Sequence, residues 1–347
     1  MRRVYSRDTD PLPLSSQSSE ELEVSVQPMC RAVEIPTPRQ LSVRRYLEAL
    51  QEVVPVRHSA ARAISKLGYT HAMDVMFMAL PIFALLMVAE ATVSSLRGQN
   101  VYALKDFCGS MSQLSINIGV RLALGGALIG LHFWLYQYRV FEVPDGPWGW
   151  LLTFVVIDFV FYWYHRGQHR VRFLWCAHVV HHSSEHMNLG TALRQSPTGP
   201  FTKALFYWPL PLLGFDPLVI ASAGAIATIY GFWTHTEVIK KLWAPLEWLL
   251  VTPSHHRAHH GSNAEYVDRN YGNVFIVWDR LFGTFEPEVA PVRYGLLTNI
   301  NTYNPLRIAF AEWLRLFRES LSARSVRHFG QLWLRPPRSQ PTLSDSP

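Results

Sequence analysis

Cysteine is scarce: Cys30, Cys108 and Cys176 are the only three in 347 residues, odd in number and far apart. That excludes a disulfide framework and any Cys-x-x-Cys metal site. Basic residues are not gathered into a block, although the net charge is +6. Without a basic block or an aromatic platform, nucleic-acid binding is excluded and the charge suits a membrane surface. No Gly-x-Gly-x-x-Gly run follows a strand, and no flavin or haem-attachment motif is present. There is no internal repeat. The opening MRRVYSRDTDPLPLSSQSSEELE carries no apolar stretch after its arginines, so a cleaved secretory signal is not expected. Rich in Ser and Pro, residues 1–40 are expected to form a disordered tail.

Long apolar runs, in turn, lack charge. Residues 75–96 contain only Glu90, and 217–235 contain no acidic or basic residue. Crossing about 30 Å of hydrocarbon takes roughly 20 mostly apolar residues. Residues 114–136, with Arg121 and His132 inside, and 148–164 are weaker candidates. Twelve tryptophans, many at segment ends, support the same reading. The expected fold is an all-α, multi-pass integral membrane protein. Its expected parts are an amphipathic pre-membrane helix over 41–70, membrane helices over 71–147 and a catalytic domain over 148–287. A C-terminal interfacial region over 288–335 and a flexible tail over 336–347 follow. Within 306–318, Leu306, Ala309, Phe310, Trp313 and Phe317 recur at helical spacing beside Arg307, Arg315 and Arg318. This suits a helix lying in the membrane interface or packed on the protein.

What the chain does have is histidine in patterned clusters. His165 and His169 stand four apart; His178, His181 and His182 stand at i, i+3 and i+4; His256, His259 and His260 repeat that arrangement. On a helix each set shares a face. His235 ends an apolar segment as a further candidate. A structural zinc takes about four ligands and would leave half of these unused. Two ions of about six-coordinate geometry would use all the imidazoles and leave about three positions open, which is the arithmetic of a di-iron, oxygen-activating centre. Carboxylates are scarce in the clusters, unlike soluble di-iron bundles with their Glu and Glu-x-x-His ligands. His186 and His255 fall outside the spacing and are left out, and His58, His71, His132 and His328 stand apart. Asp158, seven residues before His165 on the same helical face, is the candidate to orient an imidazole through its other N–H. Glu185, Asn188, Thr191 and Arg194 follow the second cluster as candidate outer or substrate-head contacts.

The segments DFVFYWYHRGQH, HVVHHSS, and HRAHH followed by NYGNVFIVWDRLFGTFEPE resemble the fatty acid hydroxylase superfamily, the sterol desaturase-like membrane di-iron oxygenases. HHSSEHMNLGTALRQS, FWTHTE and TPSHHRAHHGSN are similar to its branch containing alkylglycerol monooxygenase. The resemblance covers about residues 75–335. It implies that His165, His169, His178, His181, His182, His235, His256, His259 and His260 bind two irons. It also implies O₂-dependent hydroxylation of a lipid C–H bond with electrons from a separate donor, a reduced pterin or a ferredoxin- or cytochrome-type partner. One departure is Arg170, where ether-lipid-type members often carry Glu.

All clusters must converge on one membrane face. Residues 204–234 therefore leave that face and return within 31 residues, too few for two crossings, and a shallow broken hairpin turning near Gly214 to Pro217 is expected. Arg166, Arg170 and Arg172 place the clusters in the cytoplasm, as Arg57, Arg62 and Lys66 do the segment before the first run. Three crossings would separate the two groups, so one of the first three runs is expected to stop short. Three alternatives stay open: a sterol or fatty acyl desaturase or methyl oxidase with the same metals, a single-zinc membrane hydrolase, and a non-catalytic metal-binding membrane protein. Oligomeric state is not readable.

Overall fold

The computed structural model describes residues 59–337, with side chains from residue 78 onward. The expected tail at 1–40, that at 336–347 beyond its first two residues, and the pre-membrane helix as far as residue 58 lie outside the described residues. Among the described residues the secondary structure is helical, with a single isolated bridge between Leu250 and Phe275.

Among the described residues three helices are long and apolar enough to cross a membrane: Met78–Leu96 within Ser59–Leu96, Leu104–Tyr136, and Pro147–Arg170. The expectation that one stops short finds no counterpart in their lengths. Most of their exposed side chains are apolar (Leu85, Val88, Leu122, Leu131, Leu151), as lipid-facing surfaces require, with Lys105, Arg121 and Arg170 as charged exceptions. Their buried faces carry the polar residues instead. Glu90 accepts hydrogen bonds from the Tyr102 hydroxyl at 2.5 Å, from the Leu189 N–H at 2.8 Å and from Thr236.

After Pro147–Arg170 the chain breaks at Val171, which is extended, and turns at once into Arg172–His182. Residues 199–233 form the expected broken hairpin: Gly199–Tyr207, Pro209–Leu212, a turn, then Pro217–Trp233. Asp216 caps the last helix by accepting from the N–H groups of Leu218 and Val219. Gly214 makes the turn possible, with φ at +95° and a backbone approach that would bring a Cβ within 2.1 Å of the Phe141 carbonyl oxygen. At 17 residues, Pro217–Trp233 is about 25 Å long, short of a full crossing.

Two apolar clusters tie these helices together. Ile157, Tyr207, Leu210, Phe215 and Ile220 pack at the hairpin end, and Phe83 stacks on Phe232 at 3.8 Å among Ala79, Leu189 and Ala192. The penultimate described helix, Pro305–Leu321, buries Ile308, Ala309 and Leu316. It leaves a strip of Leu306, Phe310, Leu314, Phe317 and Leu321 exposed, so it both packs on the protein and presents a second apolar face. That face supports the interfacial reading, although the buried face differs from the one the spacing suggested. Arg172, counted above as a cytoplasmic surface charge, is instead buried, with its guanidinium donating to Glu312 at 3.0 Å and Glu319 at 2.5 Å.

Candidate metal centre

Four pieces of chain supply the histidines. His165 and His169 occupy the last turns of Pro147–Arg170, and His178, His181 and His182 end Arg172–His182. His235 follows Pro217–Trp233, while His256 and His259 lie in Pro253–His259 and His260 closes it. The last helix starts with Pro253 at its first position and Thr252 capping it, an arrangement that suits a seven-residue element.

The nine imidazoles converge in two groups. His165, His169, His178, His182 and His259 bring one nitrogen each within 4.8 Å of one another, and His181, His235, His256 and His260 do the same. All are buried except His178, which is half-buried. In the first group His165 Nε2 is 2.9 Å and His182 Nε2 is 3.1 Å from His178 Nε2. In the second, His235 Nε2 is 3.1 Å from His181 Nε2 and 2.8 Å from His256 Nε2. Nitrogens bound at right angles about 2.1 Å from one ion would be about 3.0 Å apart, so the spacing suits ligands of a shared ion.

Three rings have their orientation fixed from behind. Nδ1 of His165 lies 2.8 Å from the Tyr271 carbonyl, Nδ1 of His235 lies 2.8 Å from that of Gly231, and Nδ1 of His259 lies 2.9 Å from that of Arg269. Donation to those oxygens places the proton on Nδ1 and turns the Nε2 lone pair into the site. His169 Nε2, His181 Nδ1, His256 Nδ1, His259 Nε2 and His260 Nε2 are buried without a hydrogen-bond partner, a cost that a bound ion relieves for those facing the centre. Burial, and after it mutual repulsion, holds His178, His181, His182, His256, His259 and His260 well below the usual histidine range. Burial brings His235 down to about 4. Neutral imidazoles with free lone pairs are what a transition-metal ion needs. The donor set fits two such ions.

The carboxylates do something other than the spacing suggested. Asp158 reaches no imidazole: it accepts from the N–H groups of Val274 and Phe275 at 3.0 and 3.1 Å and from the Trp278 indole at 2.9 Å. Asp279 accepts from the N–H groups of Tyr271 and Gly272, both at 2.7 Å. Together they clamp the 271–278 loop whose Tyr271 carbonyl holds His165. The physical reason is that backbone carbonyls already take the imidazole N–H groups, leaving the acids to hold the loop that supplies one of those carbonyls. Glu185 is exposed and accepts from the Asn299 side chain at 2.7 Å. Asn188 caps the short Leu189–Ala192 helix, Thr191 completes that capping box, and Asn188 also donates to the Val101 carbonyl. Arg194 is buried, donating to the Val180 carbonyl at 3.0 Å and pairing with Asp106 at 3.3 Å. No side chain of these four hydrogen-bonds an imidazole; Asn188, Thr191 and Arg194 brace the segment after the second cluster, and Glu185 is tied to Asn299.

His186 stays half-buried outside both groups, but His255, also left out above, is buried against Glu247 at 3.1 Å. Burial raises the Glu247 carboxyl, yet hydrogen bonds from His255, Ser254, the Leu242 N–H and Thr252 outweigh it and bring it down to about 2. Sequence spacing missed this anchor of Pro253–His259, because Glu247 gives no local signal. Arg170 faces Asp268 at 3.4 Å, and the same carboxylate lies 3.7 Å from His169 Nδ1. An acid thus approaches the first group from a distant loop, at the position where Glu was the expectation from related chains.

The Fatty acid hydroxylase family model matches residues 150–284, a stretch containing all nine histidines, Asp158 and Asp279. The chain belongs to the fatty acid hydroxylase superfamily. Within it, similarity is to alkylglycerol monooxygenase: 44% identity to the Homo sapiens protein over 243 residues, 68% of this chain and 54% of that protein. The Xenopus tropicalis alkylglycerol monooxygenase is 45% identical over 203 residues, 57% of this chain and 45% of that protein. Ornithine lipid hydroxylase OlsE of Rhizobium tropici is 33% identical over 162 residues, 46% of each chain. The chain spans about half the length of the curated relatives it matches. No solved structure matches. A fatty acid hydroxylase domain thus frames both imidazole groups.

Proposed function

We propose that the protein is a multi-pass membrane oxygenase that uses two non-haem irons and O₂ to hydroxylate a lipid, with an ether lipid of glycerol as the substrate class. The observation carrying this reading is the pair of converging, largely buried imidazole groups inside the hydroxylase domain. His165, His169, His178, His182 and His259 would hold one iron, and His181, His235, His256 and His260 the other. When bound, the irons supply O₂ activation, with two electrons from a separate donor, a reduced pterin or a ferredoxin- or cytochrome-type partner. The domain proposed to do this spans 148–287.

The protein's own part is positioning and exclusion of water. Phe161 packs 5.4 Å from the His165 ring, Tyr271 5.3 Å from His169, and Trp175 5.3 Å from His169 and 5.7 Å from His182. These rings pack against the first group and steady its imidazoles. Hydroxylation at the methylene beside an ether oxygen adds one oxygen atom from O₂, the other leaving as water with two electrons and two protons. The resulting hemiacetal breaks its C–O bond to give an aldehyde and the glycerol hydroxyl. Arg166 and Arg170, at the end of Pro147–Arg170 nearest the histidines, support a cytoplasmic face for the site.

Metal analysis of detergent-purified protein made with iron available tests the reading. About two irons per chain, lost in His181→Ala or His259→Ala, are expected, together with aldehyde from an alkylglycerol under air and none without oxygen. A single zinc, or turnover that ignores oxygen, would overturn it.

A further inference from the structure

One loop stands behind most of the first imidazole group. The Arg269 carbonyl lies 2.9 Å from Nδ1 of His259, and the Tyr271 carbonyl 2.8 Å from Nδ1 of His165. Asp268, at the start of the same loop, brings Oδ1 to 3.7 Å from Nδ1 of His169. Nε2 of that ring is buried without a hydrogen-bond partner. Three of the five imidazoles in the group thus meet residues 268–271 through Nδ1. The second group is backed differently, since His235 leans on the Gly231 carbonyl of its own helix.

The loop is built to hold this shape. Asp268 and Asn270 have φ of +62° and +56°, the left-handed region that Asp and Asn enter more readily than other side chains. Such backbone persists where neighbours hold it. The Asn270 side chain donates to the carbonyls of His255 at 3.1 Å and Glu286 at 2.7 Å, and accepts from the Glu286 N–H at 2.8 Å. The Asp268 carboxylate is shared between two neighbours: Oδ1 faces His169, and Oδ2 lies 3.4 Å from Nε of Arg170.

We infer that Asp268 is a positioning residue that acts through His169 on the ion of the first group alone. The carboxylate attracts the Nδ1 proton, which keeps the tautomer whose Nε2 lone pair is free for an ion and stops the ring from turning away. Arg170 holds the carboxylate by its other oxygen and so keeps Oδ1 directed at the ring. The inference rests on the proposed two-iron reading.

Equilibrium competition for ferrous iron between the full-length, detergent-purified protein and a chromophoric chelator, without oxygen, tests it. The parent protein should hold two irons. Asparagine suits the same left-handed backbone, so Asp268→Asn should fold, and it should weaken one iron about tenfold to a hundredfold while the other stays unchanged. Arg170→Gln should weaken that same iron less, about threefold. In a His169→Ala background, Asp268→Asn should add no further loss, which a merely structural role would not produce. A cleft of about 410 Å³ opens beside Asp268 and is lined also by His169, His182 and His259. Asp268→Gly keeps the positive φ and leaves room there for formate, which should restore the weakened iron in that variant and have no effect in Asp268→Asn or the parent. Two irons in the parent with undiminished binding in Asp268→Asn overturn the inference alone. So does equal weakening of both irons, or a further loss when Asp268→Asn is added to His169→Ala. A parent that holds fewer than two irons overturns the proposed function, and this inference with it.

Discussion

The histidines follow a rule that emerges only in three dimensions. Members of an i, i+4 pair go to the same group: His165 with His169, His178 with His182, and His256 with His260. The i+3 members, His181 and His259, cross to the other group. Residues four apart lie about 40° apart around a helix, whereas adjacent ones lie about 100° apart, so His181 and His182 cannot easily serve one point. Spacing made the ligand candidates legible, since patterned histidine is rare and helical periodicity is local. It did not make their partition legible, because i+3 and i+4 look alike as one face. The role of Asp158 was hidden for a related reason: its partners Val274, Phe275 and Trp278 come from far along the chain. Asp158→Asn and Asp279→Asn should each destabilise the protein by roughly 2–4 kcal/mol, because an amide N–H then faces an N–H or hydroxyl donor. Iron content should fall in both and return when iron is in excess, unlike in His259→Ala. Melting temperature and metal analysis side by side check this, and full iron content in both variants would remove the loop-clamping role.

Helices are the scale at which the sequence was read best. Apolar runs are local and long, and their places follow from composition, although Leu104–Tyr136 and Pro147–Arg170 extend beyond the runs at 114–136 and 148–164. The break at Gly214 to Pro217 was legible too, since Gly and Pro limit the backbone in ways no neighbour can undo. The short Pro253–His259 helix was less so, for it is held by a tertiary contact. Seven residues cannot stay helical alone, and the hydrogen bonds that His255, Ser254 and Thr252 give to Glu247 anchor this one. With its carboxyl at about 2 in the folded protein and near 4.3 when unfolded, Glu247 stabilises the fold above about pH 4.3. That contribution falls away as pH drops toward 2. Glu247→Gln should therefore lower the melting temperature at pH 7, and the gap to the parent protein should narrow below pH 4. A gap that stays constant with pH would show that the charge is not what anchors the helix.

Over the whole molecule, acid is the vulnerability. The folded protein keeps seven described histidines outside the long helices neutral, with pKa values held below their unfolded value of about 6.5. Below that pH the unfolded chain takes up protons that the folded one refuses, so stability falls as pH falls. Each histidine contributes up to about 1.4 kcal/mol per pH unit. The melting temperature of metal-free protein should be flat between pH 7 and 8 and drop steeply from 6.5 to 5, whereas a flat profile throughout would contradict neutral burial. The crossed partition of the histidines has a further consequence, best put in the language of polymer loops. Each ion would staple the Arg172–His182 helix to the Pro253–His259 region, one through residues 182 and 259, the other through 181 and 256. The long intervening loop is thus closed twice. Opening one staple leaves that loop closed, so its entropy is released only when both are gone. Removing one site should cost a modest part of the metal-derived stability, and removing both should cost far more than twice as much.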